Sequence, residues 1–68
     1  MTNINVFAAY LNTRMATEDL LWAHVIETRE HRISDVWFNN AVNRLTDAAE
    51  ALGYNLVKRD DVKTAEAA

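Results

Sequence analysis

His24, Glu27 and His31 are the residues whose types and spacing come closest to a metal site. They lie three and four positions apart, so on a helix they share one face. A specific helical metal site combines two helices that each contribute a Glu with two helices that each carry a Glu-x-x-His motif. The sequence lacks such a set. No pair of carboxylates is placed with a nucleophile in a shared apolar cleft either. We therefore expect no metal, no cofactor and no enzymatic activity.

The composition excludes several classes of function. The 68 residues include one glycine, no proline and no cysteine, and 50% are hydrophobic. Without cysteine there is no zinc knuckle, iron–sulfur cluster or thiol nucleophile, and Gly53 alone cannot form a glycine-rich phosphate loop. No apolar run reaches the roughly 18 residues of a membrane span, and the first residues lack a leader pattern. We expect a cytoplasmic protein that does not contact membranes.

The clearest helix signals frame the second half of the chain. Ser34 can cap a helix by accepting from its first free N–H groups, and Ile33 and Phe38 occupy the positions of a hydrophobic staple. Gly53 can adopt the left-handed conformation that closes a helix, with Tyr54 folding back toward Ala49. These signals predict a helix over residues 35–52.

The first half of the chain predicts one long helix. Residues 5–31 contain neither glycine nor proline, and Thr17 is the one position that could divide them into two helices. We favour a continuous helix of about 5–31 that turns back at a corner after Arg29. The fold class is then all-α, an antiparallel helical hairpin over a single domain, 1–62. A short extended arm over 54–57 could pair with residues 3–7, and 63–68 form a tail.

A concentration of apolar residues indicates self-association. Six of the seven residues from Leu20 to Ile26 are apolar, and at 100° per residue they surround the helix. One neighbouring helix covers a single stripe, so we expect a homodimer; the alternative is a monomer with scattered surface apolar residues. The predicted dimer interface comprises Leu20, Leu21, Trp22, Val25 and Ile26.

A second group of residues is suited to binding another protein. Trp37 and Phe38 are adjacent, so their side chains diverge by about 100° and cannot share one environment. Exposed aromatic residues beside arginine dominate binding energy at protein interfaces. Acidic residues of the first helix would complement a basic partner. The predicted partner-binding residues are Glu18, Glu27, Arg29, Arg32, Trp37 and Phe38.

A different class of function is a small DNA-binding regulator. Asn39, Asn43 and Arg44 lie on the outer part of the second helix, and asparagine can read adenine bidentately. Residues 48–57 also resemble the closing helix and arm of small helix-turn-helix repressors and antitoxins. The net charge of −3 opposes phosphate binding, so we do not expect direct contact with nucleic acid.

The whole chain resembles one known family. Residues 1–11, residues 19–24 and the helix capped by Ser34 together resemble the small quorum-sensing anti-activators of temperate Pseudomonas phages. This resemblance implies a phage protein of host takeover, a helical homodimer that inhibits host proteins. It further implies masking of the DNA-binding domain of a LuxR-type quorum-sensing regulator, and a second target in the type IV pilus assembly ATPase. The resemblance assigns no functional role to a particular residue.

Overall fold

The computed structural model describes residues 3–61 and contains two helices packed against each other. Helix α1 spans Val6–Glu30 and helix α2 spans Asp35–Ala51, so the predicted all-helical hairpin is confirmed. The N–H of Asn5 donates to the carbonyl of Ala51 at 2.8 Å, which places the start of α1 beside the end of α2. The helices are therefore antiparallel.

Each helix begins and ends where a local signal requires it. Asn5 caps α1 by accepting from the Ala8 N–H at 2.9 Å, and Ser34 caps α2 by accepting from the Trp37 N–H at 3.5 Å. Gly53 follows α2 with φ of 88°, and the Tyr54 N–H donates to the Ala49 carbonyl at 2.9 Å. The predicted ranges 5–31 and 35–52 are slightly longer than the observed helices because each included capping residues. A capping residue is hydrogen-bonded to the helix but lies outside its regular helical backbone.

Helix α1 continues through Thr17 without interruption. The Thr17 hydroxyl donates to the Thr13 carbonyl at 3.0 Å within the same helix, so it does not cap a new one. Helix α1 ends at Glu30 and is capped by His31, a residue with φ of 55° whose N–H donates to the Glu27 carbonyl at 2.9 Å. A left-handed residue is the common way to end a helix, although glycine or asparagine usually occupies that place.

Small side chains fill the contact between the two helices. Their buried residues are spaced seven apart on each helix, the repeat that keeps one side of a helix against its neighbour. This group, called the alanine seam below, comprises Ala9, Ala16, Ser34, Ala41 and Ala48. Because these side chains are small, they allow the two helix axes to approach to about 8 Å, the short end of the usual distance between packed helices.

The hairpin is a single layer of helices, with principal dimensions of 44 × 26 × 12 Å. Within residues 3–61 no large side chain is fully buried, and the buried apolar residues are all alanine. After Gly53, residues 54–59 form neither helix nor strand. Residue 62 and the predicted tail, 63–68, lie outside the described residues. Most large apolar side chains of the hairpin are thus partly open to solvent.

Candidate protein-interaction surfaces

The alanine seam determines which side of the hairpin each residue occupies. Successive helical residues are about 100° apart, so a residue four positions after a seam residue is rotated by about +40°. One three positions after it is rotated by about −60°, and one immediately before it by about −100°. In an antiparallel pair, equal rotations from the two seams lead to the same side. The hairpin therefore has two sides that can be assigned residue by residue.

One side, called the tryptophan face, is defined by Met15, Asp19, Trp22, Trp37 and Arg44. Met15 precedes a seam residue by one, Asp19, Trp37 and Arg44 each follow one by three, and Trp22 is rotated by about −120° from Ala16, toward the same side. Two contacts between the helices agree with the assignment. The rings of Trp22 and Trp37 have centroids 6.4 Å apart at 32°, and Arg44 Nε lies 3.9 Å from Asp19 Oδ2.

A groove on α1 lies at the edge of the tryptophan face. It has a volume of about 220 Å³ and is lined by residues of α1 alone, Leu11, Arg14, Met15 and Glu18, of which Met15 belongs to the face. On the face itself, the Asp19 side chain is only 14% exposed, and no hydrogen-bond donor of the described residues reaches its Oδ2. Buried carboxylate oxygens are normally hydrogen-bonded, whereas this atom is buried within the hairpin without a hydrogen-bond partner.

The opposite side, called the leucine face, is defined by Leu20, Phe38, Val42, Leu45 and Leu52. All except Val42 follow a seam residue by four positions, and Val42 follows Ala41 directly. All five side chains are exposed, from 36% at Leu45 to 47% at Leu20. Thr13 and Thr17 lie on the same side, and their hydroxyls donate to carbonyls of α1 at 2.7 and 3.0 Å. The middle of the leucine face is consequently apolar.

The residues predicted for the dimer interface do not share one side. Leu20 lies on the leucine face, whereas Trp22 and Ile26 are rotated toward the tryptophan face. Leu21 points away from the seam and is 54% exposed, and Val25 is half-buried. The hairpin alone therefore covers none of these side chains completely.

The residues predicted for partner binding are similarly divided. Trp37 is half-buried against Trp22, and Phe38 is 44% exposed on the leucine face. Glu18 lines the groove, whereas Arg29, Arg32 and Glu27 lie at the corner end of the hairpin. Arg32 Nε donates to Glu30 Oε1 at 2.7 Å.

The residues considered for metal binding and for reading DNA do not come together in a common site. His24 Nδ1 is 3.9 Å from Glu27 Oε1, and residues 3–61 hold no group of three side chains suited to a metal ion. Of the residues considered for DNA reading, Asn39 and Asn43 are exposed, while Arg44 is directed toward Asp19.

Two features of the site were missed from the sequence. The alanine seam gives little hydropathy signal, because alanine and serine are less apolar than the large residues beside them. The spacing of Ala9 and Ala16, repeated by Ser34, Ala41 and Ala48, was the available signal. The pairing of Asp19 with Arg44 joins residues 25 positions apart, and no local pattern indicates it.

The geometry defines a class of molecule, a two-helix hairpin with a small-residue seam and apolar side chains on both sides. No helix of the described part of the chain is long and apolar enough to cross a membrane. The sequence has no significant match among protein-family models, curated proteins or solved structures.

Proposed function

We propose that this chain is a non-enzymatic homodimer that binds a second protein and masks its functional surface. The observation that carries the proposal is the absence of any fully buried large side chain within residues 3–61. Burying one large apolar side chain contributes about 1.5–3 kcal/mol, and ordering each residue's backbone costs about 1–2 kcal/mol. A seam of alanine and serine offsets little of that cost. Contacts with other chains would supply the missing burial.

The presence of apolar residues on both sides favours two different contacts. A second copy of the chain can cover one side of a flat hairpin, and the other side then remains available for a different protein. The Trp22–Trp37 pair suits the second role, because large aromatic side chains supply much of the binding energy at interfaces.

For the partner, we propose the DNA-binding domain of a LuxR-type host regulator, with the type IV pilus assembly ATPase as a second target. The resemblance to phage anti-activators supports this choice. Charge supports it as well, since the chain has a net charge of −3 and a DNA-binding surface is basic. Opposite charges accelerate encounter and favour that partner over acidic proteins.

The test uses the purified regulator DNA-binding domain bound to labelled operator DNA. Adding the protein should release the DNA by forming a protein–protein complex, with no binding of the protein to the DNA itself. Trp37→Ala should weaken the complex by about 30-fold or more, as expected for an aromatic anchor. Thr28→Ala, at an exposed position of α1, is the matched control and should keep the wild-type affinity. Failure of the wild-type protein to bind the domain or release the DNA would refute the proposed target.

The dimer is tested independently by light scattering over a dilution series. The expected mass is twice the chain mass of 7.8 kDa at micromolar concentration, falling toward the chain mass on dilution. A folded protein with the mass of one chain at every concentration would contradict self-association.

A further inference from the structure

The two sides of the hairpin differ in the polar groups that a protein contact would bury. The leucine face has apolar side chains along its middle, with the hydroxyls of Thr13 and Thr17 already bonded within α1. The tryptophan face has Asp19 and Arg44 near its middle, 3.9 Å apart. Covering an ion pair of this kind removes water from two charges, and their mutual attraction often fails to offset that loss.

A twofold dimer contact would double the difference in desolvation cost between the two faces. In a symmetric dimer each copy contributes the same surface, so a dimer through the tryptophan face would bury two Asp19–Arg44 pairs, and the Arg44 side chain is 44% exposed in the hairpin. A dimer through the leucine face would bury apolar groups and leave the charged residues at its edges.

We infer that the leucine face is the contact with a second copy of the chain, and that the tryptophan face is the contact with the masked partner. This assignment rests on the proposed function and specifies which surface performs each part of it. It differs from the prediction that Trp22 belongs to the dimer interface. A standard interface buries about 800 Å² per partner. The chain, including the segment after Gly53, has principal dimensions of 44 × 26 Å along its broad side, which is of that order.

The assignment defines the chemistry that the partner must present. The Trp22–Trp37 pair and Met15 favour apolar side chains on the partner, and Glu18, which lines the groove with Met15, favours a lysine or an arginine beside them. In the dimer the two tryptophan faces point outward on opposite sides. One dimer therefore binds two partner molecules.

The experiment compares single substitutions on the two faces. Leu45→Glu places a carboxylate in the leucine face, and Met15→Glu does the same on the tryptophan face, at similar exposures of 36% and 38%. We expect Leu45→Glu to raise the dimer dissociation constant by about 100-fold or more, because an unpaired charge would be buried in each copy. Met15→Glu should leave the dimer intact and weaken partner binding. Circular dichroism of both variants establishes that the helices form.

Two measurements remain informative if Leu45→Glu does not fold. The protein has no cysteine, so Val42→Cys and Met15→Cys each introduce one thiol. A short bis-maleimide should cross-link Val42→Cys into dimers and leave Met15→Cys as single chains. Both tryptophans lie on the tryptophan face, so emission from the wild-type protein should not shift as the dimer dissociates.

The outcomes separate this inference from the proposed function. Loss of the dimer in Met15→Glu, cross-linking through Met15→Cys, or a red shift of emission on dilution would overturn the face assignment and leave the proposed dimer standing. A wild-type protein that is a folded single chain at all concentrations would refute the dimer itself, and the assignment with it.

Discussion

Replacing Ala16 by leucine tests whether the small side chains of the alanine seam set the distance between the helices. Ala16 and Ala41 are each only 1% exposed, so a larger side chain at either position has no space without moving a helix. Leucine adds three carbon atoms, and overpacking a tight contact costs about 1–3 kcal/mol. Separation of the helices would also weaken the dispersion contacts along the rest of the seam.

The free energy of unfolding should therefore fall by about 2 kcal/mol in Ala16→Leu. For a chain of this size that corresponds to a decrease in Tm of roughly 8–16 °C. Thermal unfolding followed by circular dichroism measures it, with all proteins at one concentration because association stabilises the folded state. Thr28→Leu is the control, an exposed position where we expect a change within about 0.5 kcal/mol. An Ala16→Leu protein as stable as the wild type would refute the close-packed seam.

Four further predictions concern the helix ends, the Asp19–Arg44 pair and binding to DNA. Ser34→Ala should lower the free energy of unfolding by about 1 kcal/mol in urea titrations, because the Trp37 N–H loses its capping acceptor, and an unchanged stability would show that this cap contributes nothing. Gly53→Ala should cost about 1 kcal/mol from its φ of 88° alone, since a Cβ there would meet no atom within 4 Å; a neutral effect would show that this conformation is not required. A double-mutant cycle of Asp19→Asn and Arg44→Gln should give a coupling below about 1 kcal/mol. In gel-shift assays at low salt the protein should not retard DNA, and retardation with a steep salt dependence would favour the DNA-binding alternative.

The helix ends were predictable because their causes are local. Ser34 and Gly53 act on backbone groups within a few residues, so the sequence contains the whole interaction. The continuous α1 followed from the absence of glycine and proline, and Thr17 proved to bond within the helix. Each of these features depends on short-range geometry that is the same in any helix.

The arrangement of the two sides was not predictable in the same way. In α2, Phe38 and Leu45 flank the contact with α1 and Ala41 fills it. Alanine permits a closer approach than leucine, and this preference appears only when both helices are considered together. Once the seam is known, the position of Trp37 against Trp22 and its separation from Phe38 follow from rotation alone.

The alanine seam also affects how such a protein can diverge during evolution. The hairpin itself requires a small residue at the five seam positions and suitable caps at the helix ends, whereas substitutions at exposed positions usually change stability by less than about 0.5 kcal/mol. Small residues at intervals of seven are too common to identify a lineage. Hairpins of this kind that bind different targets would retain the architecture while losing recognisable sequence similarity, so a shared seam would show a common way of packing and not common descent.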